Sequence, residues 1–539
     1  MLVEANKVPS LFALFALSLS SAVLGAQSIE ALKINSPSAL PKVTTVDLRF
    51  ESYNIEMAEV TGGRFWKPYA QTPGAEAKPN DKGTGVGLSG DLFQYRAPIE
   101  LTNRRIRNLA SALAPAYVRV SGTWRNSTYF YDSDSPASAA PPAGFNSVLT
   151  RSQWKGVVEF AHAVNAEIMT SVATSAGTRD DRGVWTPTEA EHFFAYTRSL
   201  GGNIAVAEFM NEPTLALRGG GVPAGYSAAA YAQDIDAFRA WLRQSAPHTV
   251  FAGPGGEGEG MGWKQHASMQ RIPSEKLLQE TGPVFDVYSY HFYNAISSRC
   301  SGLIGGGTSP DEAFTPNFLD IPERVNAFYT DLRDRYNPGK PIWVTETGQA
   351  ACGGDRWAST FLDTFRYLNE LGTLAKHGVQ VVAHNTLAAS DYGLLDENTF
   401  SPRPDYWAAL LWHRLMGPIV LDAGTVASPD VRLYAHCFPG KEGGVTLLAI
   451  NAGAAKIKID HSAAAESYLL SAPELQSSTV RLNGQRLMLA ADDAVPALVG
   501  KPSSGDAILL PKTITFLVFR DAQNPACKAS VRSSQLSPR

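Results

Sequence analysis

The chain has 539 residues, 44% of them hydrophobic and 18% charged, with a formal net charge of −4 and a pI near 6.2. That length and composition provide for at least one large core and more than one domain of an ordinary globular protein. The near-neutral balance excludes a bulk attraction to nucleic acid or to an anionic membrane, so a polyanion would have to meet a local patch.

Residues 1–26 begin "MLVEANKVPSLFALFALSLSSAVLG", with Lys7, an apolar stretch from Leu11 to Leu24, and small residues at Gly25 and Ala26. This is the layout of a secretory signal peptide, too short for a comfortable membrane span. No later stretch approaches about 18 uninterrupted apolar residues, so the expectation is a secreted protein, extracellular or periplasmic, with no integral membrane segment after signal removal. Residues 27–46 are expected to add a strand to a β-sandwich further along.

Over residues 47–412, short β-rich runs alternate with amphipathic helical patterns. The strand candidates are "SYNIEMAEV" at 52, "AYVRVSG" at 116, "EIMTSVAT" at 167, "IAVAEFMNE" at 204, "TVFAGPG" at 249, "FDVYSYHFY" at 285, "PIWVTETG" at 341 and "VQVVAHNTL" at 379. Helical patterns such as "NRRIRNLASALA" at 103 and "RWASTFLDTFRYLNELGTLAKHG" at 356 follow them. The alternation predicts a (β/α)8 TIM barrel; a doubly wound open sheet is the alternative, but no GxGxxG follows an early strand. The Ser-, Ala- and Pro-rich "YDSDSPASAAPPAGFNS" at 131 reads as an exposed loop. "NST" at 126 is a glycosylation sequon, relevant in a eukaryotic host.

From 413 to 527 the pattern changes to short strands separated by turn residues, among them "VRLYAHCF" at 431, "GVTLLAIN" at 444 and "TITFLVFR" at 513, which predicts a β-sandwich. The polar tail 528–539 is expected to be disordered. Four cysteines in an exported chain point to disulfides, and their spacing suits no zinc motif. Cys437 with Cys527 and Cys300 with Cys352 is the simplest of the three possible pairings.

In a barrel, chemistry sits where strands end. Glu212 closes the fourth strand in "AEFMNEP" and Glu346 the seventh in "PIWVTETG". Strands four and seven face each other across the barrel mouth, so both carboxylates can enter one cleft. Such a pair suits glycosidic bond hydrolysis, in which one group donates a proton to the leaving oxygen and the other attacks or activates water.

The motifs "MNEP", "WVTETG", "VYSYHFYN" and above all "DYGLLDENTFSPRPDYWAALLWHRLMG" at 391 resemble the heparanase and β-glucuronidase family, glycoside hydrolase family 79 of clan A. The resemblance extends through "YVRVSGT" at 117 and the terminal "FRDAQNPAC" at 519, nearly the whole mature chain. It implies a retaining mechanism with Glu212 as acid/base and Glu346 as nucleophile, the carboxyls about 5–5.5 Å apart. Asn211 matches the position that binds the sugar 2-hydroxyl. Gly353 and Gly354 match the pair whose N–H groups receive the substrate carboxylate, and Tyr392 the tyrosine that contacts it. Thr123 and Asn54 fall at the matching ends of strands two and one; near Asn54 the animal members carry an aspartate. His291, Tyr290 or Tyr293 is the residue that orients the nucleophile. No metal or organic cofactor is implied.

Within that family the choice lies between an exo-β-glucuronidase and a heparanase-like endo-β-glucuronidase, with a non-catalytic carbohydrate-binding protein as a third class. Both glutamates are present, which disfavours the third. The stretches corresponding to the basic segments of animal heparanases, "NSVLTRSQWKGVVEF" and "GPGGEGEGMGWKQHASMQR", carry few bases, leaving Arg218 and Arg299 as candidate anion contacts. A Cys300–Cys352 bridge would wall off one end of the cleft. The expectation is a retaining exo-β-glucuronidase whose partner is a glucuronic-acid-containing carbohydrate.

Overall fold

In the computed structural model the described residues are 1, 30–69, 90–137, 140–219, 221–261, 271–301, 307–424, 428–461 and 463–528. The expected signal peptide at 1–26, Met1 apart, and the tail past 528 lie outside them. Eight parallel strands close a barrel: β1 (Glu51–Glu56), β2 (Ala116–Ser121), β3 (Ala166–Ser171), β4 (Ile204–Glu208), β5 (Val250–Glu257), β6 (Val287–Ile296), β7 (Ile342–Ala351) and β8 (Val381–His384). Each pairs with the next, and β8 returns to β1 through Val382↔Glu51 and His384↔Tyr53. Apolar runs suit these positions because a parallel strand under a ring of helices is buried on both faces. Helices such as Arg151–Ala163, Ala228–Ser245, Ile321–Tyr336 and Phe361–Lys376 form the outer ring.

The helical pattern expected from residue 356 begins only at Phe361. Ser359 takes a left-handed φ of 51°, and its N–H donates to the Asp363 carboxylate at 2.9 Å, so the chain turns before it winds. The helix Pro404–Leu415 runs past the expected boundary at 412.

Beyond it lies a pair of packed sheets. Strand Val445–Asn451 is central to the larger sheet, flanked by Val431–Cys437 and Thr513–Phe519. It is buried on both faces: Leu447 and Ala449 pack with Leu421, Leu517 and Ile459 between the sheets, while Leu448 and Ile450 join the core shared with the barrel. That double burial is why "VTLLAIN" reads as an unbroken apolar run. The N-terminal segment supplies two strands where one was expected. Glu30–Lys33 runs parallel to Ile457–Asp460 in the small sheet, and Lys42–Thr45 pairs antiparallel with Ile419–Leu421 in the large one. Tyr434 Oη donates to Asn369 Oδ1 at 2.8 Å, locking a sandwich strand to a barrel helix.

Both disulfides form, Cys437–Cys527 in the sandwich and Cys300–Cys352 at the barrel mouth. Among the described residues no helix is long and apolar enough to cross a membrane.

Candidate active site

The lower barrel interior is apolar, with Met169, Val206, Ala252, Val287, Trp343 and Val381 in mutual contact. Side chains alternate along a strand, so the same face returns two residues later, and there β2 and β4 present Arg119 and Glu208 in place of Tyr117 and Val206. Arg119 is buried and spends its guanidinium on three acceptors: Nε on Glu208 Oε2 (2.8 Å), Nη1 on Glu346 Oε2 (2.9 Å) and Nη2 on Asn211 Oδ1 (2.8 Å). The planar fork of arginine is suited to this, since it holds three groups at fixed angles with one side chain.

Glu346 lies on the seventh strand, where the register shifts between Val344 and Thr347 against β8. A bulge of this kind re-aims a side chain that strict alternation would send outward. Its Oε2 is held by Arg119, and Tyr293 Oη donates to its Oε1 at 2.6 Å. The three alternatives for the orienting residue thus separate by geometry. Tyr293 bonds Glu346 directly, and His291 Nδ1 lies 3.3 Å from Glu212 Oε1 and 3.8 Å from Glu346 Oε2. Tyr290 faces away, donating to Asn326 and stacking on Tyr329. Burial holds the His291 imidazole below its ordinary range, and its Nε2 lies 3.0 Å from Thr345 Oγ1.

Glu212 follows β4 in the left-handed conformation, φ 49° and ψ 63°. For a residue with a Cβ this costs about 1–3 kcal/mol and persists only where the surroundings enforce it. Here Pro213 opens the next turn, and Asn126 grips the preceding peptide: its Oδ1 accepts the Asn211 N–H at 2.9 Å and its Nδ2 donates to the Asn211 carbonyl at 3.0 Å. Glu212 is the more open of the two acids, with its side chain 13% exposed against 7% for Glu346. Burial, and next the charge of Glu257, push its carboxyl up to about 8.

Glu212, His291 and Glu346 each offer a donor atom within 4.8 Å of the others. An ion bridging them would sit beside the Arg119 guanidinium and compete with the Tyr293 proton for Glu346, so this donor set fits a cation poorly.

Asn126 is the sequon asparagine, and both its side-chain bonds and its burial are committed to this brace. Expressed in a glycosylating host, the folded chain is expected to carry no glycan there, which intact mass before and after glycosidase treatment will check.

At the other end of the cleft, Gly353 and Gly354 both take φ of +84°, and a Cβ on Gly353 would lie 2.5 Å from Trp66 Cβ. Gly354 departs from expectation: its N–H donates to the Ala350 carbonyl at 3.0 Å, closing the turn after β7. Of the two, only Gly354 N–H has an acceptor among the described residues, so one of the expected pair of donors is already committed. Tyr392 is buried next to Tyr293, their rings stacked at 6.3 Å. Asn385 Nδ2 lies 2.9 Å from Tyr293 Oη, 3.1 Å from Glu56 Oε1 and 3.3 Å from Tyr392 Oη.

Thr123 Oγ1 lies 3.4 Å from Asn211 Nδ2, on the same side as the acid. Asn54 is buried, its Nδ2 donating to the Thr345 carbonyl at 3.2 Å while its Oδ1 has no partner among the described residues. β1 also delivers Glu56, whose Oε2 is likewise buried with no partner among the described residues. Burial and the neighbouring Glu346 charge raise its carboxyl well above the usual range. Gly122 is required opposite it, since a Cβ there would fall 1.5 Å from Glu56 Oε2.

Of the two arginines expected at the cleft, Arg218 is half-buried on the helical turn Ala216–Gly219, whose Gly219 lies against Thr123. Arg299 is bound up within the protein: Nη2 donates to Asp391 Oδ2 at 2.6 Å, Nη1 to the Lys67 carbonyl, and the guanidinium stacks 4.0 Å above Tyr69. Ser298 bonds Asp355, and Tyr69 N–H reaches Asp391 at 3.1 Å. With Cys300–Cys352, these contacts fasten the loops after β1, β6, β7 and β8 to one another.

A family model described as Glycosyl hydrolase family 79, N-terminal domain, matches residues 97–372, about half of the chain. Heparanase-like protein 1 of Arabidopsis thaliana is 31% identical over 66% of this chain, a match that spans 65% of that relative. Heparanase of Bos taurus is 30% identical over 71% of this chain and 70% of its own length. Baicalin-beta-D-glucuronidase of Scutellaria baicalensis is 28% identical over 80% and 86%. Among solved structures, an α-L-arabinofuranosidase of Thermotoga maritima superposes with a TM-score of 0.59 at 15% identity, covering 90% of this chain and 99% of that one, a likeness of fold. With a family model matching half of the chain, through the heart of the barrel, and a relative 30% identical over 70% of its own length, the chain belongs to glycosyl hydrolase family 79.

Proposed function

We propose that the protein is a retaining exo-β-glucuronidase, with Glu346 as nucleophile and Glu212 as acid/base. The observation that carries this is the carboxylate pair itself. Oxygens of Glu212 and Glu346 lie within 4.8 Å of each other, in keeping with the about 5–5.5 Å between carboxyl groups that a retaining enzyme needs and too close for the intervening water of an inverting one. Their surroundings also differ in the required sense. Glu346 accepts hydrogen bonds from Arg119 Nη1 and Tyr293 Oη, which fix its carboxylate in place, while Glu212, pushed up to about 8, keeps its proton at neutral pH. Glu346 attacks the anomeric carbon as Glu212 protonates the departing oxygen; Glu212 then takes a proton from the water that releases the sugar from Glu346.

A glucuronide reading draws support from the β-D-glucuronidase among the relatives and from the Gly353 N–H and Tyr392 hydroxyl as donors for a sugar carboxylate. Glu56, with an unpartnered buried oxygen, is suited to accept from sugar hydroxyls. Exo action draws support from the wall that Arg299, Tyr69, Asp391 and the Cys300–Cys352 bridge build at the Gly353 end, where a longer chain would have to continue. Arg218 is the proposed contact to an anionic aglycone. The disulfides accord with a secreted enzyme.

Incubation with a chromogenic β-glucuronide and, separately, with heparan sulfate tests the reading. Release of chromophore with no shortening of the polymer is expected; internal cleavage of the polymer would replace it by the endo reading, and binding without release from either would leave only a carbohydrate-binding role.

A further inference from the structure

Behind Glu212 stands a second charged pair that the two-carboxylate scheme does not use. Glu257 ends β5 in register with His291 of β6. Its N–H donates to Thr214 Oγ1 at 3.1 Å, and the Ile272 N–H donates to the Thr214 carbonyl at 3.1 Å. Thr214 belongs to the turn that Glu212 opens, so the end of β5 and the segment entering helix Ser274–Thr281 both hang on the backbone that holds the acid. Arg271 closes the arrangement, with Nη1 donating to the Glu257 carbonyl at 2.6 Å and Nη2 lying 2.9 Å from Glu257 Oε2. Both side chains are largely buried.

A buried ion pair contributes little to stability compared with apolar residues of the same volume. Anchoring this loop would not by itself call for charge, since Thr214 already anchors it by accepting two backbone N–H groups, one on its hydroxyl and one on its carbonyl. What charge adds is a field at the neighbouring acid, little screened because all three side chains are largely buried.

We propose that Glu257 and Arg271 are positioning residues for Glu212, a pair whose balance of charge decides over which pH range that acid donates its proton. This rests on Glu212 being the acid/base. Arg119 from β2, Glu208 from β4, His291 and Tyr293 from β6 and Glu346 from β7 also face Glu212, and all are left in place by the changes below. After burial, the Glu257 charge is the largest influence on Glu212, acting upward; Arg271 acts in the opposite direction.

The test is the basic limb of kcat/KM against pH with a chromogenic β-glucuronide, since that limb reports loss of the acid's proton in the free enzyme. Glu257→Gln moves the limb down by about one pH unit and Arg271→Gln moves it up by a similar amount. The double variant, which leaves no buried charge unpaired, returns it close to its starting point, and Glu257→Asp, which keeps the charge, leaves it in place. Damage to the fold lowers the rate in both single variants but does not displace the limb in opposite directions. Glu212→Gln, measured alongside, abolishes the limb. Persistence of the limb in Glu212→Gln overturns the acid assignment. Its loss there, with Glu257→Gln and Arg271→Gln leaving it unmoved or moving it the same way, overturns the proposal alone.

Discussion

Glu346→Gln lowers kcat on an aryl β-glucuronide by about four or more orders of magnitude, the scale on which enzymes lose rate when a covalent nucleophile is removed. The substitution keeps the side chain's shape, and its one amide oxygen still accepts from Arg119 Nη1 while its NH2 faces Tyr293 Oη, a hydroxyl that can also accept, so the loss is mainly chemical. An amide cannot form the glycosyl ester. Small-anion rescue distinguishes the two roles. In Glu346→Ala, azide enters the vacated space and attacks the substrate directly, giving an α-glucuronosyl azide. In Glu212→Ala the nucleophile still works, azide intercepts the glycosyl-enzyme on the opposite face, and the product is the β-azide. The anomeric coupling of each product by NMR reads this out. Turnover retained in Glu346→Gln, or one anomer from both alanine variants, removes the assignment.

The proton held on Glu212 gives that chemistry its pH dependence. A carboxyl pushed up to about 8 is protonated through neutral pH and lost as a donor above it. Substrates with poor leaving groups therefore lose rate first as pH rises, because they depend most on protonation.

The two glutamates were legible because each interrupts an apolar run towards the end where a barrel keeps its chemistry, although β4 stops at Glu208, before Glu212, and β7 runs on past Glu346 to Ala351. The eight strands were legible for the same reason, their apolar runs being unbroken where parallel strands are covered on both sides. Arg119 and Glu208 were not, although both lie inside runs that were read as strands. Flanked by Val118 and Val120, Arg119 looks like an interruption; only the alternation of Tyr117, Arg119 and Ser121 along one inward face marks it as a site residue. Glu56 was passed over although it lies on the same strand face as Asn54, because nothing in the residue pattern says that both are buried with an unpartnered oxygen. The bulges in β6 and β7 put Tyr293 and Glu346 together, and a shift of parity within a strand has no signature in residue type. Asn126 advertises a glycan and serves as a backbone brace.

Arg119→Met carries the second large effect, on stability and activity together. Methionine fills much of the arginine's volume but leaves Glu208 and Glu346 as buried anions without their cation, and breaking a buried pair on one side costs about 3–5 kcal/mol. Urea denaturation should register a loss of that size. The activity loss has a different origin: Arg119 holds Glu346 Oε2 and Asn211 Oδ1 in one rigid fork, and a misplacement of about 1 Å in a reacting group costs on the order of a hundredfold in rate. Glu208 separates the two. It is a partner of Arg119 and bonds to neither reacting carboxylate, so in Arg119→Met/Glu208→Gln one of the stranded charges is gone. Much of the stability should return while kcat stays low, because nothing restores the hold on Glu346. A double variant that recovered both together would mean that Arg119 serves the fold alone; one that recovered neither would mean that Glu208 has a function of its own beneath the cleft.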